Sequence, residues 1–266
     1  MVLESLLRAH ARSYKILGMS FLCSFLAIVL SVRMFPAQSS ILSVALITMI
    51  FIPFFQKMFE RDELSEVLSL RNLKDNVFSR HSPTVKAFSM FFLGTALAIS
   101  TAFFFLPDYA GAFSLQSDTL RSFATGRATD TGTMIMLMLN NTQVMLLMFI
   151  LSTILGAGAI LILAWNASVI GVYVGMVARA FSAASVDPAF AYLYGVNAGL
   201  FSIALHGIPE IMAYFVAGIA GGILSVGMAR EDVQSLKFKR VLVDSLKLLV
   251  LAQIMIAGAA WLEVAF

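Results

Sequence analysis

Leu205-His206-Gly207-Ile208-Pro209-Glu210 interrupts a long apolar stretch, between the runs 189–205 and 211–228. Whether a helix passes through this hexapeptide or stops at it fixes how often the chain crosses a membrane. Proline lacks the amide that continues a helix, and glycine is a poor helix former, so Gly207 and Pro209 predict a break. Ionisable groups at membrane depth cost about 2.5–3.5 kcal/mol each on insertion scales, so His206 and Glu210 mark a functional or obligatorily paired site. Lipid cannot satisfy the backbone groups freed by a break, which predicts that protein or water encloses this stretch.

Composition sets the class around it. The chain is 60% hydrophobic and 12% charged, with mean hydropathy +0.91. A soluble domain carries about 25% charged residues, so that class is excluded. Apolar runs recur along the whole length, and the fold expected is an all-α integral membrane protein, a polytopic helical bundle. Cys23 is the single cysteine, which rules out an internal disulfide and a cysteine-based metal cluster. The net charge of +3 is spread over loops with no dense basic tract, so no nucleic-acid partner is expected. The N-terminal run after Arg8, Arg12 and Lys15 has no small-residue cleavage site, and it is read as a retained first span.

About 20 apolar residues cross a 30 Å hydrocarbon core. Segments 16–34 and 41–55 fit as a hairpin around Pro36. The charged loop 57–86 holds Lys57, Arg61, Arg71, Lys74, Arg80 and Lys86 against five acids, content that marks the cytoplasmic side and places the N-terminus there too. Within it Phe59, Leu70, Leu73 and Val77 share a helical face, but Asp62 and Glu66 intrude, as in a solvated helix. Segment 87–107 crosses outward to a polar loop, 108–133, with only Arg121 and Arg127. Segment 143–165 returns. If 167–181, 189–205 and 211–228 all crossed, then Arg230, Lys237, Lys239 and Arg240 would end outside, against the charge bias. Segment 167–181 reaches only about 22 Å at 1.5 Å per residue. It is therefore predicted to be a half-helix capped by Asn166. With 241–262 as the last span, the expectation is seven spans plus a half-helix and an external C-terminus. Three regions follow: 1–133, a three-span segment with its two loops; 134–228, a membrane core; and 229–266, a basic loop and the last span.

His206, Gly207 and Glu210, with Asn140, Asn141 and Asn166, form the predicted polar membrane site. His206 would close one helix and Glu210 would open the next, each at the dipole end that favours its charge. Three readings stand: a structural pin, a proton or cation relay, and a contact with a partner. Gly171, Gly175, Gly218, Gly221 and Gly222 have small-xxx-small spacing, which allows close helix packing inside the chain or, alternatively, a homodimer seam. No catalytic constellation is present in the sequence. The three histidines are scattered, with no zinc-helix spacing and no nucleophile elbow, so neither an enzyme nor a metal or other cofactor is expected.

Four motifs in order carry a resemblance. They are Asn140-Asn141 leading to Gly156-Ala157-Gly158; Asn166 heading Gly171-x-x-x-Gly175; His206-Gly207-x-x-Glu210; and Ala217-Gly218-x-x-Gly221-Gly222. Over about 140–227 the chain resembles the stage II sporulation protein M family, although Ala167 follows Asn166 where members often have Gly. The resemblance implies a multispanning protein of the cell membrane without known catalysis. In endospore formers the member joins a complex with cell-wall hydrolases. A scaffold or recruitment subunit contacting lipid and other membrane or envelope proteins is therefore expected. A transporter or channel with a polar site at the predicted break is the alternative.

Overall fold

The computed structural model describes residues 13–68, 77–124, 131–183 and 187–265. Among them are eight α-helices and no strand: α1 (Ser13–Met34), α2 (Ser39–Leu68), α3 (Val77–Phe105), α4 (Ser114–Ala124), α5 (Thr131–Leu155), α6 (Ala159–Ser182), α7 (Pro188–Arg230) and α8 (Leu236–Ala265). All except α4 are long and apolar enough to cross a membrane, which makes seven candidate spans. The chain is a membrane-spanning helical bundle. His10, Leu70, Leu73 and Arg127 fall outside the described residues.

The spans are partitioned differently from the expectation at two places. Segment 143–165 is not one span, because α5 ends at Leu155 and α6 begins at Ala159. Gly156 makes the reversal, with φ of 66°, a conformation that costs glycine alone little. The Ser152 hydroxyl donates to the Gly156 carbonyl at 2.7 Å and closes the turn. A side chain at Gly158 would meet the Leu151 carbonyl oxygen at 2.4 Å. The predicted half-helix 167–181 is therefore the second part of a 24-residue helix, about 36 Å long and able to cross. Asn166 lies inside that helix and caps nothing. Its amide donates to the Ile162 carbonyl one turn back, at 2.8 Å.

The second difference is α7. Its 43 residues run without interruption through His206, Gly207 and Pro209, so the predicted break is absent. An internal proline costs a helix about 3 kcal/mol, and packing on both sides of it offsets that cost. The antiparallel α6 lies along α7 as a splint. Its Ala178 and Val174 face Gly195 and Gly199, and its Ala159 faces Gly218. The entry to α7 is fixed by Asp187, whose carboxylate accepts from the amides of Ala189 and Phe190, with Pro188 in the first turn.

The helices alternate between two ends. At one, the basic end, Arg230 closing α7 meets Glu60 of α2 at 2.9 Å. At the far end the Ser40 hydroxyl of α2 donates to the Ala112 carbonyl in the 3-10 turn Pro107–Phe113. α1 runs alongside α3 in the same direction, with Leu17 and Ser20 against Gly94, and Ser24 hydrogen-bonded to Thr95. The core is a stack of phenylalanines: Phe51 and Phe55 on Phe91, Phe55 and Phe59 on Phe88, and Phe88 and Phe92 on Phe215.

Two features tie the far end down. Pro107 has no amide for the Phe103 carbonyl, the acceptor it would have served in a continued helix. The Arg179 guanidinium of α6 donates to that carbonyl instead and lies over the Phe103 ring, 4.1 Å from its centroid. The predicted external loop also folds back onto the bundle. Phe113 is buried with Ile28, Ile99 and Val172. Gln116 of α4 is buried as well, its amide donating to Ser168 of α6 at 3.1 Å.

Candidate functional site

Glu210 centres a polar cluster inside the bundle. Tyr214, one turn further along α7, donates its hydroxyl to the Glu210 carboxyl at 2.7 Å. Asn141, buried on α5, lies close enough to the same carboxyl to interact with it from across the helix interface. The Asn140 amide donates in turn to Asn141 at 3.3 Å. Glu263 of α8 lies close enough for the two carboxyls to interact electrostatically. Further along the same interface, Thr142 and Gln253 pair at 3.0–3.2 Å, joining α5 to α8.

Of the predicted polar residues, the structure brings together Glu210, Asn141 and Asn140. It leaves His206 and Asn166 apart. Among the described residues no hydrogen bond or ion pair joins His206 to Glu210; the carboxyl takes Tyr214 instead. The physical reason is the direction of burial. Tyr214 begins the fully enclosed half of α7, whereas Leu205 and Ile208 beside the half-buried His206 are exposed. Gly207 is not a point of close packing, since a side chain there would meet only Ile203 of its own helix, at 3.7 Å.

The other glycines sit at helix crossings. A Cβ at Gly171 would meet the Ala96 carbonyl oxygen at 2.7 Å, and one at Gly175 the Phe103 ring at 2.8 Å. Gly218 abuts Ala159, Gly221 the Phe149 carbonyl oxygen at 2.3 Å, and Gly222 the Phe59 ring at 2.5 Å. These contacts are all within one chain.

A second constellation at the basic end escaped the sequence reading. Arg230 spans Glu60 and the buried Glu63, the latter at 3.8 Å. Asp62, also buried, sits 3.3 Å from His81 of α3. Asp244 of α8, 1% exposed, is held by Arg240 at 2.7 Å and Lys247 at 2.8 Å. Beside them opens a crevice of about 380 Å³, bordered by Gln56 and Glu60 of α2, Gly156 at the hairpin, and Ser225 and Arg230 of α7. The signal was available: Asp62 intrudes on the Phe59 face because it has a polar partner, His81, there. That partner lies on the next helix, where helical periodicity does not reach. Among the described residues no three His, Cys, Asp or Glu side chains converge as metal ligands.

The order of motifs, the glycine crossings and the Glu210 cluster all lie in the part of the chain that a family model matches. The model for stage II sporulation protein M covers residues 87–266. The chain belongs to the stage II sporulation protein M family. The match extends beyond the motifs at 140–227 and takes in most of α3, which the sequence reading had left outside the resemblance. The packing explains why: α3 supplies Ala96, Ile99 and Phe103 as the surface on which Gly171 and Gly175 of α6 rest. No curated protein and no solved structure matches the chain.

Proposed function

We propose that this protein is a non-catalytic scaffold of the cell membrane, a recruitment subunit for other membrane or envelope proteins. Its N-terminus and basic end face the cytoplasm in this reading, as the Lys and Arg content of residues 57–86 and 229–240 favours. The observation that carries the reading is how the polar groups within the spans are used. Glu210 is occupied by Tyr214 and Asn141, Thr142 by Gln253, Asn166 by its own helix, and Ser100 and Thr101 by Tyr192. The pairs that cross between helices, Thr142 with Gln253 and Tyr192 with Ser100 and Thr101, pin those helices to one another. The discontinuous helix that would favour a transport path is replaced by an unbroken α7.

The docking surface follows from what the fold leaves free. Glu60 and Glu63 are tied to Arg230, so reversing their charge perturbs the fold before it perturbs a partner. Lys57 and Arg61 of α2 are exposed at the same end and are the side chains offered to a partner. In native membranes, crosslinking followed by purification should recover partner proteins. Lys57→Glu with Arg61→Glu should lose them at unchanged thermal stability. Liposomes containing the pure protein should show no ion flux above empty vesicles. Flux abolished by Glu210→Gln would overturn the scaffold reading in favour of transport.

A further inference from the structure

We infer that α5 is the seam of a homodimer, through an outward face that carries two amides. Of the seven spans α5 is the least enclosed: 17% of its most apolar stretch is buried, against 78% for α7. Its exposed side chains include Met136, Asn140, Gln143, Leu147, Ile150 and Ile154, spaced alternately four and three residues apart. That is the spacing with which one helix packs along another. Lipid is an adequate neighbour for the four apolar members, but not for the amides. Gln143 lies nine residues inside the span that starts at Met134, about 13 Å from its edge and within the hydrocarbon core. Gln143 makes no hydrogen bond among the described residues, and Asn140 uses one donor on Asn141.

A second copy of this chain fits that face better than another partner does. An amide is both donor and acceptor, so it is complementary to itself. Two copies inserted in the same sense are related by a two-fold axis along the membrane normal. Their α5 helices then run in register, and Asn140 and Gln143 meet their own equivalents. α5 carries no charged residue, so no like charges oppose the approach. The glycines that small-xxx-small spacing offered as a seam are already committed within the protomer, whereas among the described residues this face carries two amides with bonds still to make. The inference does not depend on the scaffold reading.

Single cysteines in a Cys23→Ser background test it by oxidation in native membranes. Leu147→Cys and Ile150→Cys should give a band at twice the protomer mass, while Leu26→Cys, exposed on α1, should not. No band at either α5 position, equal bands from Leu26→Cys, or bands at the mass of a different protein would overturn it. Gln143→Leu, which removes no bond within the protomer, should weaken self-association measurably in mild detergent. Asn140→Leu with Gln143→Leu should weaken it at least about tenfold, as expected for lost interhelical amide bonds, beyond the small loss of thermal stability that Asn140→Leu alone causes by giving up its bond to Asn141. Undiminished dimerisation of the stable double variant would overturn the role of the amides and the proposal with it.

Discussion

The two halves of α7 are both apolar and differ sharply in environment. From Ala213 to Leu224 every residue is buried, on a surface built mostly of Ala, Gly and β-branched side chains with Tyr214 and Phe215 at its start. From Pro188 to Ile208 the same helix exposes Phe190, Leu193, Tyr194 and Phe201, the last 85% exposed. In the enclosed half every side chain, the Phe215 ring included, meets another helix, whereas in the other half only the narrow strip of Ala191, Gly195 and Gly199 is buried and the large rings face outward. Hydropathy alone separates membrane from water. It does not separate lipid from protein, because both are apolar. Glu210 sits at the boundary and turns towards the enclosed half.

This contrast can be broken most forcefully in the enclosed half. Gly221→Leu would drive a side chain into the Phe149 backbone, where even a Cβ comes within 2.3 Å of the carbonyl oxygen. The expected result is loss of folded protein in size-exclusion profiles, more than about 3 kcal/mol of destabilisation. The rings come next. Phe215→Ala, in the phenylalanine stack, should cost about 3–5 kcal/mol, whereas Phe201→Ala should change stability by less than about 0.5 kcal/mol. Comparable shifts in the thermal unfolding of the two detergent-solubilised variants would refute the distinction.

At the boundary, Tyr214→Phe and Asn141→Leu should each destabilise the protein. The double variant should fall short of their sum by about 0.6–2 kcal/mol, because both side chains act on one carboxyl. Additive effects would mean that the cluster is not one unit. The smallest effect has the opposite sign. Gly207→Ala adds a methyl group that makes only ordinary contact with Ile203, at 3.7 Å, within a continuous helix, so stability should rise by up to about 1 kcal/mol. A loss there would indicate that the backbone at Gly207 is not helical.

Much of the fold was legible because charge placement and span length are strong constraints. The bundle class and the placing of Lys57 and Arg230 at one end follow from them, whereas the count agrees at seven because two predicted spans merge into α7 while the predicted half-helix proves to be a full span. The course of the chain between 143 and 228 was harder to read. Gly156-Ala157-Gly158 has the composition of a tight turn, but its spacing also suits helix packing, and the turn prevails because Gly156 takes a positive φ. Pro209 predicts a break from local chemistry, and α6, packed along both sides of it, overrides that preference. The same limit applies to the site. Glu210 has His206 four residues before it and Tyr214 four residues after it, equally spaced on a helix. Only the location of the enclosed half selects the tyrosine. Asn141 was legible as a polar group, but its pairing with Glu210 depends on α5 and α7 running in parallel, which no local pattern encodes. The polar pairs at the basic end were hidden for the same reason, since Asp62 and His81 meet only when α2 and α3 fold together.

The account rests on α7 being one rod, and the separation of its ends tests that directly. Spin labels at Leu193 and Met228, both exposed, can be placed by cysteine substitution in a Cys23→Ser background and measured by pulsed electron paramagnetic resonance in liposomes. A continuous helix separates the two positions by about 50 Å at 1.5 Å per residue, slightly less with a bend at Pro209. A distribution centred below about 30 Å, as two antiparallel crossings broken at Gly207 and Pro209 would give, would contradict the account.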